Sequence, residues 1–458
     1  MAEHKRKIRL GAFLFGVGHH SAAWRAPDVD PKAGQRIGFY QELAQIAEAA
    51  AFDTVFFADN VAMHGAPGQW GGAPPVYFFE PTTLLASLAA VTKRIGLIAT
   101  VSASYTPPYQ TARLFASLDH LSGGRAGWNL VTSGSDGEAA NFGLKTQRRH
   151  ADRYRLAGEY VDLVRKLWDS WDDDAFRFDQ NSGVAFDGSK VRLVDHDGEH
   201  FSVRGPLQIS RPVQGHPVIV QAGSSDDGQR LAAHSAEVVF TAQPSLASAQ
   251  SFYRGLKQQV LAAGRNPDHV LIMPGIQPFV AETRAEAEDK YARLQDLVDP
   301  RAGLGMLAAF SGIDASQLDL DGPLPNLPET EGWKSRRQLF VDVAQEQHWT
   351  VRQLIAFISA ARGHAVVVGT PADVADHLEA WHSQEAADGF NIMPPTLPAG
   401  LTDFTRLVVP ELRRRGLFRE HYEAETLRGN LGLSRPVPHS WTPASFPSFP
   451  QTDQVAAQ

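Results

Sequence analysis

The sequence predicts a (β/α)8 TIM barrel with insertions, and three observations lead to it. Eight short apolar runs are spread along the chain, most precede a stretch with helical spacing, and polar residues stand just after them. The runs are Leu10 to Phe15, Thr54 to Ala58, Ile95 to Val101, Gly127 to Val131, Val218 to Gln221, Val238 to Thr241, Leu271 to Phe279 and Phe390 to Met393. Strands that alternate with helices pair in parallel, and eight of them can close. A doubly wound open sheet would need a phosphate fingerprint after its first strand. Gly16-Val17-Gly18 lacks the third glycine and runs into His19-His20 rather than a helix.

Between the runs, apolar residues recur at helical spacing over Phe39 to Ala50, Thr82 to Ala90, Thr111 to Leu121, Ala151 to Trp171, Asp226 to Ser235, Ser245 to Ala263, Arg284 to Leu297 and Leu401 to Arg415. Pro410 should kink or divide the last, because it lacks an N–H. Gly123 and Gly124 end the third with the positive φ that a helix stop needs. Two insertions interrupt the alternation. In 172–215, Val191 to Val194 and His200 to Val203 flank Asp197-Gly198 and read as a hairpin. The second, 300–350, is a polar excursion with Gly and Pro, of the kind that forms lids or binding loops, and the helix Val351 to Ala361 follows it. One domain, 1–433, is expected. The Pro- and Ser-rich tail 434–458 reads as disordered or as an arm laid over a partner.

Composition narrows the classes. A 458-residue chain with 43% hydrophobic and 21% charged residues can bury a sizeable core. A net charge of −8 without a long basic run argues against nucleic acid or an anionic membrane as the main partner. No run approaches the roughly 20 apolar residues of a spanning helix. The absence of cysteine excludes disulfides, thiolate metal sites and a cysteine nucleophile, and a cytoplasmic location is expected. The start is basic and then apolar like a secretory signal, but Gly11, Gly16 and Gly18 break the run, so a first barrel strand is the better reading.

Function in such a barrel belongs to residues just past the strands' carboxyl ends. Gly223-Ser224-Ser225-Asp226 offers amides and hydroxyls at a helix start, suited to a phosphate, although Ser225 or Asp226 would serve equally as a plain N-cap. His150 and Tyr154 lie four apart, on the face continued by Ala157, Val161, Val164 and Trp168, and read either as a rim pair or as a cap and a packed aromatic. Asp59 follows the second run and Thr100 lies in the third. Each can meet a ligand or merely a neighbouring backbone group. Aromatics gather near the predicted mouth at Phe13, Phe15, Trp24, Phe57, Trp70, Tyr77, Phe78 and Phe79, the last four in or beside a Gly- and Pro-rich loop that would cover a pocket.

Several motifs occur in order: Gly18-His19-His20 with Ala23-Trp24-Arg25, Leu121 to Ser133, Asn141-Phe142-Gly143 with His150-Ala151-Asp152-Arg153-Tyr154, and Gln221-Ala222-Gly223-Ser224-Ser225. From Gly11 to about Leu433 the chain thereby resembles the flavin-dependent monooxygenases of the bacterial luciferase-like superfamily, in the branch of the nitrilotriacetate and dibenzothiophene-sulfone enzymes. The resemblance implies a barrel that binds reduced FMN and uses O2, through a flavin hydroperoxide, to oxygenate a small organic molecule by C–N or C–S cleavage or heteroatom oxidation. It assigns Asp59, Thr100, Ser133, His150, Tyr154, Ser224 and Ser225 to the cofactor. Phe13, His20, Phe57, Phe79 and Phe310 are expected at the substrate. Phe310 stands where sulfone monooxygenases carry a His, which weakens a sulfone as substrate.

No NAD(P)H site is evident, so a separate flavin reductase is expected to supply FMNH2. No catalytic acid or base and no metal site is expected: His19, His20, His64, His120 and His150 do not form the His-x-His pair of metal-dependent barrels. A homodimer or homotetramer accords with the resemblance and the tail. The rivals are a deazaflavin-dependent oxidoreductase of the same superfamily, a metal-dependent barrel hydrolase and a non-catalytic flavin-binding protein.

Overall fold

Alternation within the first run sets its two faces. Leu10 and Ala12 enter the layer shared with the helices, while Phe13 joins a separate cluster with Phe56, Ile98, Val218, Val220, Phe240 and Met273. A side chain at Gly11 would fall onto the Asn391 amide oxygen and lie 2.8 Å from Thr54 Oγ1, so the inward face needs glycine there. Two apolar faces on every strand are what a closed sheet wrapped in helices requires.

The computed structural model describes residues 6–63, 79–311, 313, 318–331 and 333–438. The barrel strands are β1 (Arg9–Phe13), β2 (Thr54–Phe57), β3 (Gly96–Ser102), β4 (Ala126–Val131), β5 (Val218–Gln221), β6 (Val238–Thr241), β7 (Leu271–Val280) and β8 (Gly389–Ile392). Each pairs in parallel with the next in chain order, and β8 returns to β1 with Arg9 opposite Gly389. The barrel is therefore closed, and all eight predicted runs are its strands.

A ninth strand, Ala365–Gly369, departs from the sequence reading. The ten-residue β7 meets β6 with Leu271 to Pro274, β8 with Gly275 and Ile276, and the added strand with Ile276 to Val280. β7 thus outruns the barrel, and its overhang carries the second insertion back to the rim. That insertion also holds two helices, Pro300–Ser311 and Lys334–Glu346, where an irregular excursion was expected. They pack with Val351–Ala361 around Leu307, Phe340, Leu354 and Ile358.

The first insertion carries two short antiparallel ladders. Phe176–Asp179 pairs with Val184–Phe186, and His196–Asp197 with Ser202–Val203. A hairpin therefore stands here, but its first arm is His196–Asp197 rather than the expected Val191–Val194, of which Val191 only bridges to Trp171. Asp197 pairs in the ladder, while the turn follows it from Gly198 to Phe201. Gly123 and Gly124 have φ of 68° and 89° at the end of helix Pro108–Ser122, as the sequence predicts. Pro410 divides the last helix: Ala399–Asp403 widens into a π turn over Phe404–Val408 before Val409–Arg414 resumes.

The floor of the lumen comes from far along the chain. Leu427, Leu431 and Leu433 close the inner cluster from below, and Gly96 and Gly127 leave space for the Leu427 side chain. Arg428 locks this plug to the barrel with a 2.9 Å bond to the Glu237 carboxylate and another to the His216 carbonyl. Burial alone would raise the Glu237 pKa, but the Arg428 guanidinium outweighs it and holds the carboxyl at about 2. Within the described residues no helix is long and apolar enough to cross a membrane. The tail beyond residue 438 lies outside the described residues.

Candidate active site

With its floor plugged, the barrel opens at the strands' carboxyl ends. A cavity of about 170 Å³ lies there, lined from β2 by Asp59 and Asn60, from β4 by Leu130 to Ser133, and from β5 by Gln221 to Gly223 and Ser225. His150, Arg153 and Tyr154 of helix His150–Trp168 form another wall, and Trp333, Lys334 and Ser335 of the second insertion a further one. A larger cavity, about 410 Å³, lies at the opposite end of the strands between Glu48, Arg94 and Tyr422, away from the rim where barrels place their chemistry.

Each wall has a local cause. Ser225 caps helix Asp226–Ser235, its hydroxyl accepting from Gly228 N–H at 3.2 Å, which leaves the helix start facing the cavity. His150 bridges to it, with Nδ1 2.9 Å from Asp227 Oδ2 and Nε2 3.4 Å from the Ser225 hydroxyl. Burial pulls the His150 pKa down and the Asp227 bond pulls it partly back, with a net shift below the ordinary histidine value. Tyr154 packs on that ring at 4.8 Å, and its hydroxyl borders the space a Cβ at Gly223 would enter. Ser224 turns instead toward β6, bonding Thr241 Oγ1 at 2.9 Å.

On the β4 side Ser133 has φ of 50°, which turns the chain at the strand end. Its hydroxyl donates to Glu138 at 3.1 Å and lies 2.9 Å from that of Ser102. Glu138 also accepts from Gly134 N–H and Ser135 N–H, closing a capping box that fixes the 133–135 loop. Thr100 lies in the lumen wall, donating to the Phe57 carbonyl at 2.9 Å and accepting from Asn129 Nδ2 at 2.8 Å, while Asn129 Oδ1 is buried without a partner. Burial, with smaller contributions from Glu80 and Glu138, pushes the Asp59 carboxyl up to about 6.

Asp59, Ser133, His150, Tyr154 and Ser225 therefore share one cavity, and Thr100 and Ser224 stand behind it. The residues expected at the substrate disperse more. Phe13 is in the lumen, 4.6 Å from Phe56 and 5.3 Å from Phe240. His20 is buried after β1, and burial, aided by the Arg362 charge, lowers its pKa to about 3. Phe57 faces the helix layer against Tyr40, and Phe79, more than a third exposed, meets Tyr40 from outside. Phe310 packs on Trp333 and so reaches the cavity wall at second hand. His64, Trp70, Tyr77 and Phe78 lie outside the described residues.

Sequence reasoning gave no role to Glu138, Arg153, Gln221, Trp333 or Lys334. The Ser135-x-x-Glu138 spacing was a readable signal, whereas the other four acquire meaning only from packing. Arg153 donates to the Arg148 and Glu331 carbonyls and keeps a buried Nε without a partner. Among the described residues no three His, Asp or Glu side chains gather as a metal site.

Residues 18–387 match the family described as luciferase-like monooxygenase. The chain is 48% identical over 441 residues to N-acetyl-S-(2-succino)cysteine monooxygenase of Bacillus subtilis (strain 168), covering 95% of this chain and 99% of that one. It is 47% identical to nitrilotriacetate monooxygenase component A of Aminobacter aminovorans, with 94% and 97% covered. Among solved structures, riboflavin lyase (RcaE) with modified FMN and substrate riboflavin superposes with a TM-score of 0.85 at 32% identity, over 94% of this chain and 96% of that one.

Proposed function

Because the chain belongs to the luciferase-like monooxygenase family and is therefore an oxidoreductase, we propose that it is the oxygenase half of a two-component system, taking FMNH2 from a separate reductase and using O2 to oxygenate a small organic molecule. One observation carries the reading: the rim cavity gathers the groups that a phosphate needs. The start of helix Asp226–Ser235, the Ser225 hydroxyl, the His150 ring, Tyr154, and the cations Arg153 and Lys334 converge on it. The orphaned Arg153 Nε, and buried acceptors without partners on Asn129 and Gln221, suit a ligand that brings its own donors and acceptors.

The residues fit FMN. Ser225, His150, Tyr154 and Arg153 would hold the phosphate, and Asp59, Thr100 and Ser133 the polar groups along the cofactor. Reduced FMN supplies the electrons that activate O2 for transfer of one oxygen atom. The chain's own part is to seat, orient and shield. Asp59, with a pKa near 6, can donate or accept at neutral pH. The aromatic lumen around Phe13 and Phe240 keeps water from the reacting face. The relative named component A supports a partner that supplies reducing equivalents.

The test is anaerobic titration with FMNH2 followed by stopped-flow mixing with oxygenated buffer. Tight binding and a transient near-ultraviolet band distinct from oxidised flavin are expected. Absence of both overturns the proposal.

A further inference from the structure

Beside the lumen, where helix Lys334–Glu346 meets the chain after β1 and the face of β7, lies a second polar cluster that the flavin reading does not use. The Arg362 guanidinium lies 4.4 Å above the Phe15 ring and donates to the His19 carbonyl at 2.8 Å. His19 stacks on Phe15 at 5.0 Å, and its Nδ1 is buried without a partner. His364 stacks on Phe240 of the lumen at 5.0 Å, and its Nε2 is 3.5 Å from Arg336. Arg336 otherwise donates to the Arg362 carbonyl, and among the described residues no carboxylate pairs with it.

Two further facts give the cluster a direction. A side chain at Gly275 of β7 would strike the His364 ring, so this face of β7 borders the cluster. Gln277, two residues on and hence on the same face, is 0% exposed, yet neither its amide nitrogen nor its oxygen has a partner. Burial and the Arg362 charge pull the Arg336 pKa down to about 10, and after burial Arg336 and Arg362 both lower that of His364. A cation held so without an acid is costly unless a ligand brings the anion.

We propose that this cluster is an anion subsite that seats a carboxylate of the substrate on Arg336, over an apolar floor of Phe15 and Phe240. The substrate class is then a small organic acid. A guanidinium has five N–H donors in a planar fork that matches a carboxylate, and Arg336 spends two of them on protein partners. The inference rests on the rim being the flavin and substrate site, and it adds the substrate's charge.

Calorimetric titration of the anaerobic FMNH2 complex with succinate, iminodiacetate and citrate tests it, with neutral succinamide in parallel. At least one acid should bind, succinamide at least 30-fold more weakly, and Arg336→Met should weaken the acid at least tenfold while leaving the FMNH2 affinity unchanged. Arg336→Lys keeps the charge and should recover part of the binding, which guards against a folding defect in the first variant. The proposal is overturned if no acid binds, if succinamide binds equally, if Arg336→Met binds the acid like the wild type, or if that variant loses FMNH2 instead. Should the wild type fail to bind FMNH2, the flavin reading falls, and the same titration of the flavin-free protein still decides the subsite.

Discussion

Replacing Asp59 by Asn removes a carboxylate that the fold holds at a disadvantage. Its pKa rises from 3.8 to about 6, chiefly by burial, and each pKa unit corresponds to about 1.4 kcal/mol. A folded-state pKa above the unfolded one means that the stability is full below about pH 4 and is lost as pH rises through 6. Above pH 7 the ionised carboxylate therefore costs the flavin-free protein about 3 kcal/mol. Asn keeps an oxygen for the Asn60 N–H, bonded at 2.9 Å, without the charge. Urea denaturation of the wild type and Asp59→Asn between pH 4 and 8 should show no difference at pH 4 and a variant more stable by up to about 3 kcal/mol at pH 8. A difference that stays flat across this range would refute the argument, since only a titrating Asp59 makes it pH-dependent.

Other expectations follow from the same contacts. His150→Ala removes the bridge to Ser225 and Asp227 and should weaken FMNH2 binding about tenfold or more, read by anaerobic titration, because bonds to a charged group contribute about 1.5–3 kcal/mol. Glu237→Gln leaves Arg428 buried without its anion and should lower stability by about 3–5 kcal/mol at pH 7. The depressed pKa of Glu237, about 2 against 4.5, gives stability that is present above 4.5 and lost as pH falls toward 2, so the variant's deficit should shrink in acid titrations followed by circular dichroism. Leu427→Ala opens a void under the lumen and should cost about 2–5 kcal/mol, measured as a shift in the urea midpoint.

The eight barrel strands were legible because each is a short apolar run between turn residues, and a strand buried on both faces needs no other signal. Ala365–Gly369 is also a short β-branched run beside glycines and met the same criterion; what no local signal gives is its partner, since it pairs only with the overhang of β7 and adds to the barrel rather than closing it. Helix Pro300–Ser311 was hidden by Gly303 and Gly305, which local propensity reads as breaks but which packing tolerates, Gly303 lying against Ile355. At the rim, chemistry and spacing that coincide within a few residues brought Gly223, Ser225 and the His150–Tyr154 pair to one cavity as expected, while Ser224 turns to Thr241 instead. Trp333 and Lys334 reach the same cavity from more than a hundred residues away, and Phe57 faces outward because of a strand parity that an apolar run does not reveal.

The leucine plug also bears on biosynthesis. Phe13 and Phe56 emerge from the ribosome early, but the side chains that close the lumen beneath them belong to residues 427–433. At about 5–20 residues per second, that gap of some four hundred residues keeps the inner apolar face open on the order of tens of seconds. A nascent chain in that state presents a hydrophobic funnel to its surroundings, so folding yield should depend on chaperone capacity and on translation speed through the last strand and plug.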